Sequence, residues 1–209
     1  MKRLLCMLAC SLMWIAPAYG QVCGGGVSFA KQPYQLNASL LTNDGGKLYT
    51  MGGGVGSGVW WGQGGLNFTT FDGVNGTAKG LFITGGGDFA VDSDKKIYAC
   101  PILSIAHSGA LGNLEGSSNL VTFGGSVGFI ATKADSVTII PTGALFLHHE
   151  SFSFPISTFN SSENSGSLQL GVGFIVNERM ALVPGFVVPF GQNGGKNSFS
   201  VKFAYYFGK

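Results

Sequence analysis

The segment 198–207 constrains the fold more than any other part of the chain, because apolar and small or polar side chains alternate along it. Successive side chains of a strand point to opposite faces, so one face of this segment is apolar. Its members are Phe199, Val201, Phe203, Tyr205 and Phe207. The other face carries Ser200, Lys202, Ala204 and Tyr206. Such a strand either covers a soluble core or turns its apolar face towards lipid.

Nine further segments of roughly ten residues alternate in the same way, and turn residues separate them. They are 33–41, 47–56, 59–71, 79–90, 96–107, 120–132, 137–150, 167–176 and 181–190. A tilted strand of about 9–11 residues crosses a bilayer, whereas a membrane helix needs about twenty consecutive apolar residues. The pattern therefore predicts an all-β protein, an up-and-down antiparallel transmembrane β-barrel of ten strands. The alternative count is eight, without the first two segments.

The connections between these segments support the same architecture. From Gly73 onwards, tight charged turns alternate with longer links rich in Gly, Ser and Asn, and the longest predicted loop is 151–166. Membrane barrels have short periplasmic turns and longer external loops. Both termini of the barrel are therefore expected on the periplasmic side, and Asp44-Gly45 marks a tight first hairpin.

Four prolines oppose this assignment. Pro101, Pro141, Pro184 and Pro189 lie inside predicted strands. Each removes a hydrogen-bond donor from the ladder, which lipid cannot replace. We expect bulges or the ends of pairing to accommodate them.

The first twenty residues have the features of a secretory signal peptide: Lys2 and Arg3, then an apolar run, then small residues before Gln21. The predicted organisation is a signal peptide over 1–20, a periplasmic tail over 21–32 and an outer-membrane barrel over 33–209. Two cysteines, Cys23 and Cys100, remain after cleavage. In an oxidising compartment they are expected to form a disulfide.

Composition restricts the possible partners. Without Lys2 and Arg3 the chain has as many acidic as basic residues, so nucleic acid is not an expected partner. Charged residues make up 11% of the chain, about half the usual share for a globular domain. A surface that faces lipid explains this low charge, and outer-membrane lipid is the expected partner. No metal or cofactor is predicted.

One cluster could carry chemistry, since His148, Glu150 and Ser151 combine a base, an acid and a nucleophile near the outer end of a strand. No motif fixes their geometry, so polar residues at the rim of the barrel are the favoured interpretation. Asp88 and Lys202 are both expected in the lumen, where they could pair or be solvated. An aromatic girdle at the membrane interface is also expected, formed by Tyr49, Trp60, Trp61, Tyr205, Tyr206 and Phe207.

The signal peptide, the strand pattern and the aromatic last strand together resemble the small bacterial outer-membrane barrels of the OmpA/OmpX-like type. This resemblance implies residence in the outer membrane and recognition of Ser198–Phe207 by the outer-membrane assembly machinery. One departure is that Gly208 and Lys209 follow Phe207, whereas such barrels usually end on the aromatic residue. The expected role is structural, a surface interaction or a narrow pore, without enzyme activity. Two alternatives are a lipid-modifying hydrolase and a soluble secreted barrel or sandwich that binds an apolar ligand.

Overall fold

The computed structural model describes residues 33–73, 75–109, 116–134, 136–153, 160–191 and 196–207. The predicted signal peptide and periplasmic tail lie outside these ranges, and both stay predictions. Among the described residues, no helix is long and apolar enough to cross a membrane.

The described chain forms ten long strands and two strands of two residues. They are β1 (Tyr34–Asn43), β2 (Gly46–Ser57), β3 (Trp60–Phe71), β4 (Ala78–Gly87), β5 (Phe89–Ala90), β6 (Ile97–Ser108), β7 (Ser117–Phe129), β8 (Thr132–Lys133), β9 (Val137–Ser153), β10 (Asn160–Val176), β11 (Met180–Gly191) and β12 (Ser198–Phe207).

Each long strand pairs antiparallel with its neighbour in the sequence, and the last pairs with the first. Closure is made by β12 on β1, where Tyr34 lies opposite Phe207 and Thr42 opposite Phe199. The predicted up-and-down barrel of ten strands is confirmed. The eight-strand alternative is wrong because β1 and β2 are members of the closed ring. We call the end with Tyr34 and Phe207 the terminal end and the opposite end the loop end.

Large apolar side chains cover the outside of the barrel. Leu81, Ile83, Leu103, Phe123 and Leu170 are all at least half exposed, each in the phase that the alternation predicts. A monomeric soluble protein rarely exposes a continuous apolar surface of this kind. The outside therefore suits hydrocarbon and not water.

Several aromatic rings of the outer face lie close together at the terminal end. Tyr34 stacks on Phe207 with ring centroids 5.9 Å apart, and Tyr205 is 6.5 Å from Phe207. The predicted girdle is wrong for Trp61 and Tyr206, which are buried. They occupy the opposite phase of the alternation from Trp60 and Phe207, so their rings lie inside the barrel.

Tyr49 is also misplaced in the predicted girdle. It pairs with Leu40 near the first hairpin, close to the loop end. Tyr49 is only the fourth residue of β2, which begins at Gly46 directly after the first hairpin turn. Its ring therefore lies near the loop end and not at the terminal end.

The ladder tolerates all four strand prolines, because each lies where one of its two neighbouring ladders is interrupted or ends. Pairing of β4 with β6 stops before Pro101 and resumes as β5, and pairing of β10 with β11 skips Pro184. The ladder between β7 and β9 ends beside Pro141, and Pro189 lies beyond the last pair of β11 with β12. A missing N–H donor costs little where no partner strand requires it.

The largest difference from the predicted elements is at the loop end. The predicted loop 151–166 is wrong, because β9 continues to Ser153 and β10 begins at Asn160. Backbone pairing runs from Asn160 opposite Ser153 to Val176 opposite Val137. The alternation of apolar residues stops near Leu147 because the polar residues His149, Ser151 and Ser153 follow on the outer face of β9. The sequence pattern therefore no longer indicates a strand, although backbone pairing continues.

Candidate functional site in the barrel lumen

A cavity of about 360 Å³ lies in the lumen, and side chains from all ten long strands line it. Alternation places these side chains inside, since their sequence neighbours are the exposed apolar residues of the outer face. The site is therefore a property of the closed barrel and not of any one segment.

Apolar side chains fill the lumen towards the terminal end. Tyr98, Ile140 and Tyr206 are at most 4% exposed and pack with other buried residues. A second cluster, with Trp61 and Phe146, lies at the boundary between this core and the cavity. We call these two clusters the lumen plug: Trp61, Tyr98, Cys100, Ile102, Ile140, Ala144, Phe146, Ile175, Ala181, Val183, Ala204 and Tyr206.

Above the plug, polar side chains on different strands bond to one another around the cavity wall, two pairs on neighbouring strands and one, Asn37 with Gln63, across β2. The pairs are Ser39 with Thr50 (2.7 Å), Thr84 with Ser104 (2.7 Å) and Asn37 with Gln63 (3.0 Å). Hydroxyl and amide groups keep further donor and acceptor capacity after one such bond. The wall can therefore also bind a polar guest.

Lys202 lines the cavity from β12, and its Nζ donates a hydrogen bond to Gln169 Oε1 at 3.3 Å. Asp88 is fully buried, between β4 and β5 at the terminal end. The suggested pairing of Asp88 with Lys202 stays a prediction.

His148 also lines the cavity, and hydroxyl groups contact both of its ring nitrogens. Thr122 Oγ1 is 2.9 Å from Nδ1, and Ser167 Oγ is 2.9 Å from Nε2. A serine and a histidine in contact are two parts of a nucleophilic site. Here the group on the other nitrogen is a neutral hydroxyl and not a carboxylate, and Ser167 is itself buried.

The three weak catalytic candidates do not converge on one point. His148 and Glu150 share the inner face of β9, whereas Ser151 lies on the outer face and its Oγ donates to the Asn119 carbonyl oxygen at 3.5 Å. Glu150 lies directly opposite Glu163 on β10. Two carboxylates in register repel each other and do not provide the orienting acid that a triad requires.

Cys100 is buried in the lumen plug and takes part in a disulfide. Its predicted partner, Cys23, lies outside the described residues, so the pairing of these two cysteines stays a prediction.

The sequence analysis did not single out the polar residues of the cavity wall, among them Thr122, Ser167 and Gln169, which contact His148 and Lys202. Their inward phase can be read from the alternation of β7 and β10. Their contacts with His148 and Lys202 depend on register between strands, which one sequence does not encode in an obvious way.

A solved structure is similar to this chain in fold. The chain is similar to the beta domain of the Bordetella autotransporter BrkA, with a TM-score of 0.55 and 14% identity, covering 83% of this chain and 98% of that one. The chain has the fold of an outer-membrane β-barrel. A second similar structure is Ail, the attachment invasion locus protein of Yersinia pestis, with a TM-score of 0.40 and 11% identity, covering 84% of this chain and 98% of that one. No protein-family model matches the chain, and a search of curated protein sequences found no match.

Proposed function

We propose that this outer-membrane barrel acts at the cell surface as an interaction protein, and that it neither conducts solutes nor catalyses a reaction. The observation that carries the proposal is the pair of 17-residue strands β9 and β10. Their outer residues, 149–153 and 160–164, form what we call the polar extension.

The polar extension projects beyond the part of the barrel that suits hydrocarbon. The outer face of β9 changes from Leu145 and Leu147 to His149, Ser151 and Ser153. About 9–11 residues suffice to cross the bilayer, so a strand of 17 residues exceeds that need, and the five residues of each strand in the extension add roughly 17 Å at about 3.3 Å per residue. A paired polar ribbon of this length offers a partner backbone and side chains that are already ordered.

Side-chain contacts also support an ordered extension. His149 Nδ1 is 2.8 Å from Asn164 Oδ1 across the β9–β10 pair, and His107 Nδ1 is 2.9 Å from Asn119 Oδ1 on the adjacent strands. These four polar side chains are exposed on the outer face. They are available to a partner that approaches from outside the cell.

The lumen plug argues against a pore. A ten-stranded barrel has an interior that side chains can nearly fill, and Tyr98, Ile140 and Tyr206 fill it at the terminal end. An ion would have to cross an apolar core there, at a high desolvation cost. Non-conduction therefore accompanies the surface role in this proposal.

The lipid-hydrolase alternative would rest on the contact between Ser167 and His148. The neutral hydroxyl on the other nitrogen of His148 and the burial of Ser167 favour a structural polar network instead. The structural interpretation predicts that the membrane lipids have the same molecular masses in cells that express the wild type and in cells that express His148→Ala. A lipid product that disappears with His148→Ala would replace it with the enzyme.

The orientation is tested with single cysteines in a Cys23→Ser, Cys100→Ser background that is first shown to fold. Ser162→Cys in the polar extension should react with a membrane-impermeant maleimide on intact cells. Asp94→Cys, in the turn before β6 at the opposite end, is the matched control and should react only after the outer membrane is permeabilised. If only Asp94→Cys reacts on intact cells, the barrel has the opposite orientation, and the proposed surface role is wrong.

The surface role itself is tested by shortening the extension. A variant in which residues 151–162 are replaced by a tight Asn-Gly turn keeps the part of β9 and β10 that faces the membrane. We expect this variant to fold. Cells that express the wild type should adhere to immobilised polysaccharides or matrix proteins, and cells that express the variant should not. Equal adherence by both forms, or adherence no greater than that of cells without the protein, would contradict the proposal.

A further inference from the structure

The disulfide of Cys100 requires a cysteine from the part of the chain that precedes β1. The chain has four cysteines, and the other three, Cys6, Cys10 and Cys23, all lie before residue 33. Cys100 is 1% exposed and lies on the inner face of β6, so a cysteine of a second barrel cannot reach it. Removal of the predicted signal peptide leaves Cys23 as the partner. The segment before β1 must therefore enter the lumen.

The disulfide and the start of β1 lie on nearly opposite sides of the barrel. Only β2, β3 and β4 separate β1 from β6 on one side of the ring, and five long strands separate them on the other. Ten strands about 4.8 Å apart, with a tilt of about 40°, form a ring about 20 Å across. The chain between a cysteine bonded to Cys100 and Tyr34, the first residue of β1, therefore has to cross the lumen.

The segment is long enough for this path. The eleven residue steps from Cys23 to Tyr34 span at most about 36–40 Å when the chain is extended. This reach is nearly twice the width of the ring. An extended segment can therefore cross the lumen and still pass beside the side chains of the lumen plug.

The inner face of β2 leaves room for this crossing. The apolar core at the terminal end, which includes Tyr98 and Tyr206, comes from β6 and from β9 to β12. By contrast, three successive inward positions of β2 are Gly52, Gly54 and Gly56, which carry no side chain. The lumen plug is therefore thinnest along β2, next to the strand that the segment enters.

Gln35 indicates that a polypeptide fits this position. Its side chain is 2% exposed and lies opposite Gly54 across the β1–β2 pair, where a Cβ on Gly54 would collide with Gln35 Nε2. Both Nε2 and Oε1 are buried and have no hydrogen-bond partner among the described residues. A peptide unit offers one N–H and one C=O, which are the donor and the acceptor that a side-chain amide requires.

We propose that residues 24–32 form a strap inside the terminal end of the barrel, held by a disulfide between Cys23 and Cys100 and lying against Gln35 and the glycines of β2. The strap completes the lumen plug, so the predicted periplasmic tail lies in the mouth of the barrel. As the S–S bond forms, the two thiols lose two protons and two electrons, which reduce the disulfide of an exchange partner to two thiols. The strap is independent of the polar extension, and either can fail without the other.

The crossing is tested by the length of the segment. Deletion of residues 24–31 removes no described residue and leaves three residue steps between Cys23 and Tyr34, about 10 Å or half the width of the ring. We expect maleimide to label both thiols of this variant in denatured, unreduced protein. The matched control replaces residues 24–31 with eight Gly and Ser residues, and it should form the disulfide as the wild type does.

The burial of the strap is tested with trypsin. Lys31 is the one basic residue between the predicted cleavage site and β1. In folded, unreduced wild type the Lys31–Gln32 bond should be cut at least about ten-fold more slowly than in Cys23→Ser, because a segment held in the lumen must open before it is cut. Cleavage after the exposed Lys133 is the internal reference and should be equally fast in both proteins.

Three results would overturn the proposal. They are a disulfide in the deletion variant, free thiols in the wild type or in the Gly-Ser control, and equal rates of cleavage after Lys31 in the wild type and Cys23→Ser. Gel mobility before and after heating establishes that each variant is folded. If Cys23→Ser does not fold, folded wild type whose thiols have been freed by a reductant takes its place in the trypsin assay.

Discussion

A lysine at Ile83 tests whether the apolar outer face lies in hydrocarbon. Ile83 is in the middle of β4 and is 65% exposed, the largest exposed fraction among the large apolar side chains of the outer face. In water, a substitution at so exposed a position changes the free energy of unfolding by about 0.5 kcal/mol or less. In a bilayer, a lysine on the lipid-facing side near the midplane costs about 2–4 kcal/mol. The two environments therefore predict effects that differ several-fold.

The assay is urea unfolding of the barrel folded in large unilamellar vesicles, followed by tryptophan fluorescence and gel mobility. With a denaturant dependence of about 1–3 kcal/mol per molar urea, a loss of about 2–4 kcal/mol moves the midpoint by roughly 0.7–4 M. Val91→Lys is the matched control, because Val91 is 59% exposed but lies next to the turn at the terminal end. Near the interface a lysine costs about 0–1 kcal/mol.

The reasoning is refuted if Ile83→Lys unfolds within about 0.5 kcal/mol of the wild type, or if Val91→Lys is destabilised as much as Ile83→Lys. Either result would mean that depth in a bilayer does not set the cost of a charge on this surface. The exposed apolar side chains would then need another cover, such as a protein partner.

Three further outcomes follow from the described contacts. Ile140→Ala in the lumen plug should cost about 2–5 kcal/mol in the same titration, because Ile140 is fully buried, and a loss below about 1 kcal/mol would mean that the plug is loosely packed. The pKa of Asp92 lies below its ordinary value of 3.8, chiefly because the backbone N–H of Ile97 donates to its carboxylate. The ionised carboxylate therefore stabilises the folded state above pH 3.8, and this stabilisation is lost as the pH falls through the lowered pKa. In Asp92→Asn the urea midpoint should therefore fall less steeply at acid pH than in the wild type. An equally steep fall would mean that other groups cause the loss of stability in acid. Cys23 and Cys100 should both resist maleimide in unreduced, denatured protein and react after reduction, whereas reaction of both without reductant would exclude the predicted disulfide.

Much of the architecture is predictable from local pattern. The last strand is found at Ser198–Phe207, as predicted, and most other strands begin and end within three residues of their predicted bounds. This accuracy has a physical cause, since a strand between lipid and a packed lumen must alternate at every residue. Where that constraint ends, as beyond Leu147, prediction fails and a paired ribbon resembles a loop.

The candidate site was much less predictable. His148 and Lys202 stand out in the sequence as rare polar residues, but Gln169 and Ser167 resemble any other inward polar residue of a barrel strand. Their partners lie on strands that are distant in the chain, as with Lys202 and Gln169, which are 33 residues apart. Register and closure bring them together.

The sequence by itself determined which face of each strand is apolar, because a period of two follows from the geometry of a single extended chain. It also predicted that these strands, ten or eight of them, close on themselves, since hydrocarbon cannot satisfy the backbone groups of an open edge. Only the tertiary structure decided that the count is ten, that the terminal end of the lumen is filled, that a polar cavity remains above it, and that β9 and β10 continue beyond Leu147 and Leu168, the last leucines of their outer faces. These features depend on the volumes and registers of side chains from all ten strands at once, and no single segment of the sequence carries that information.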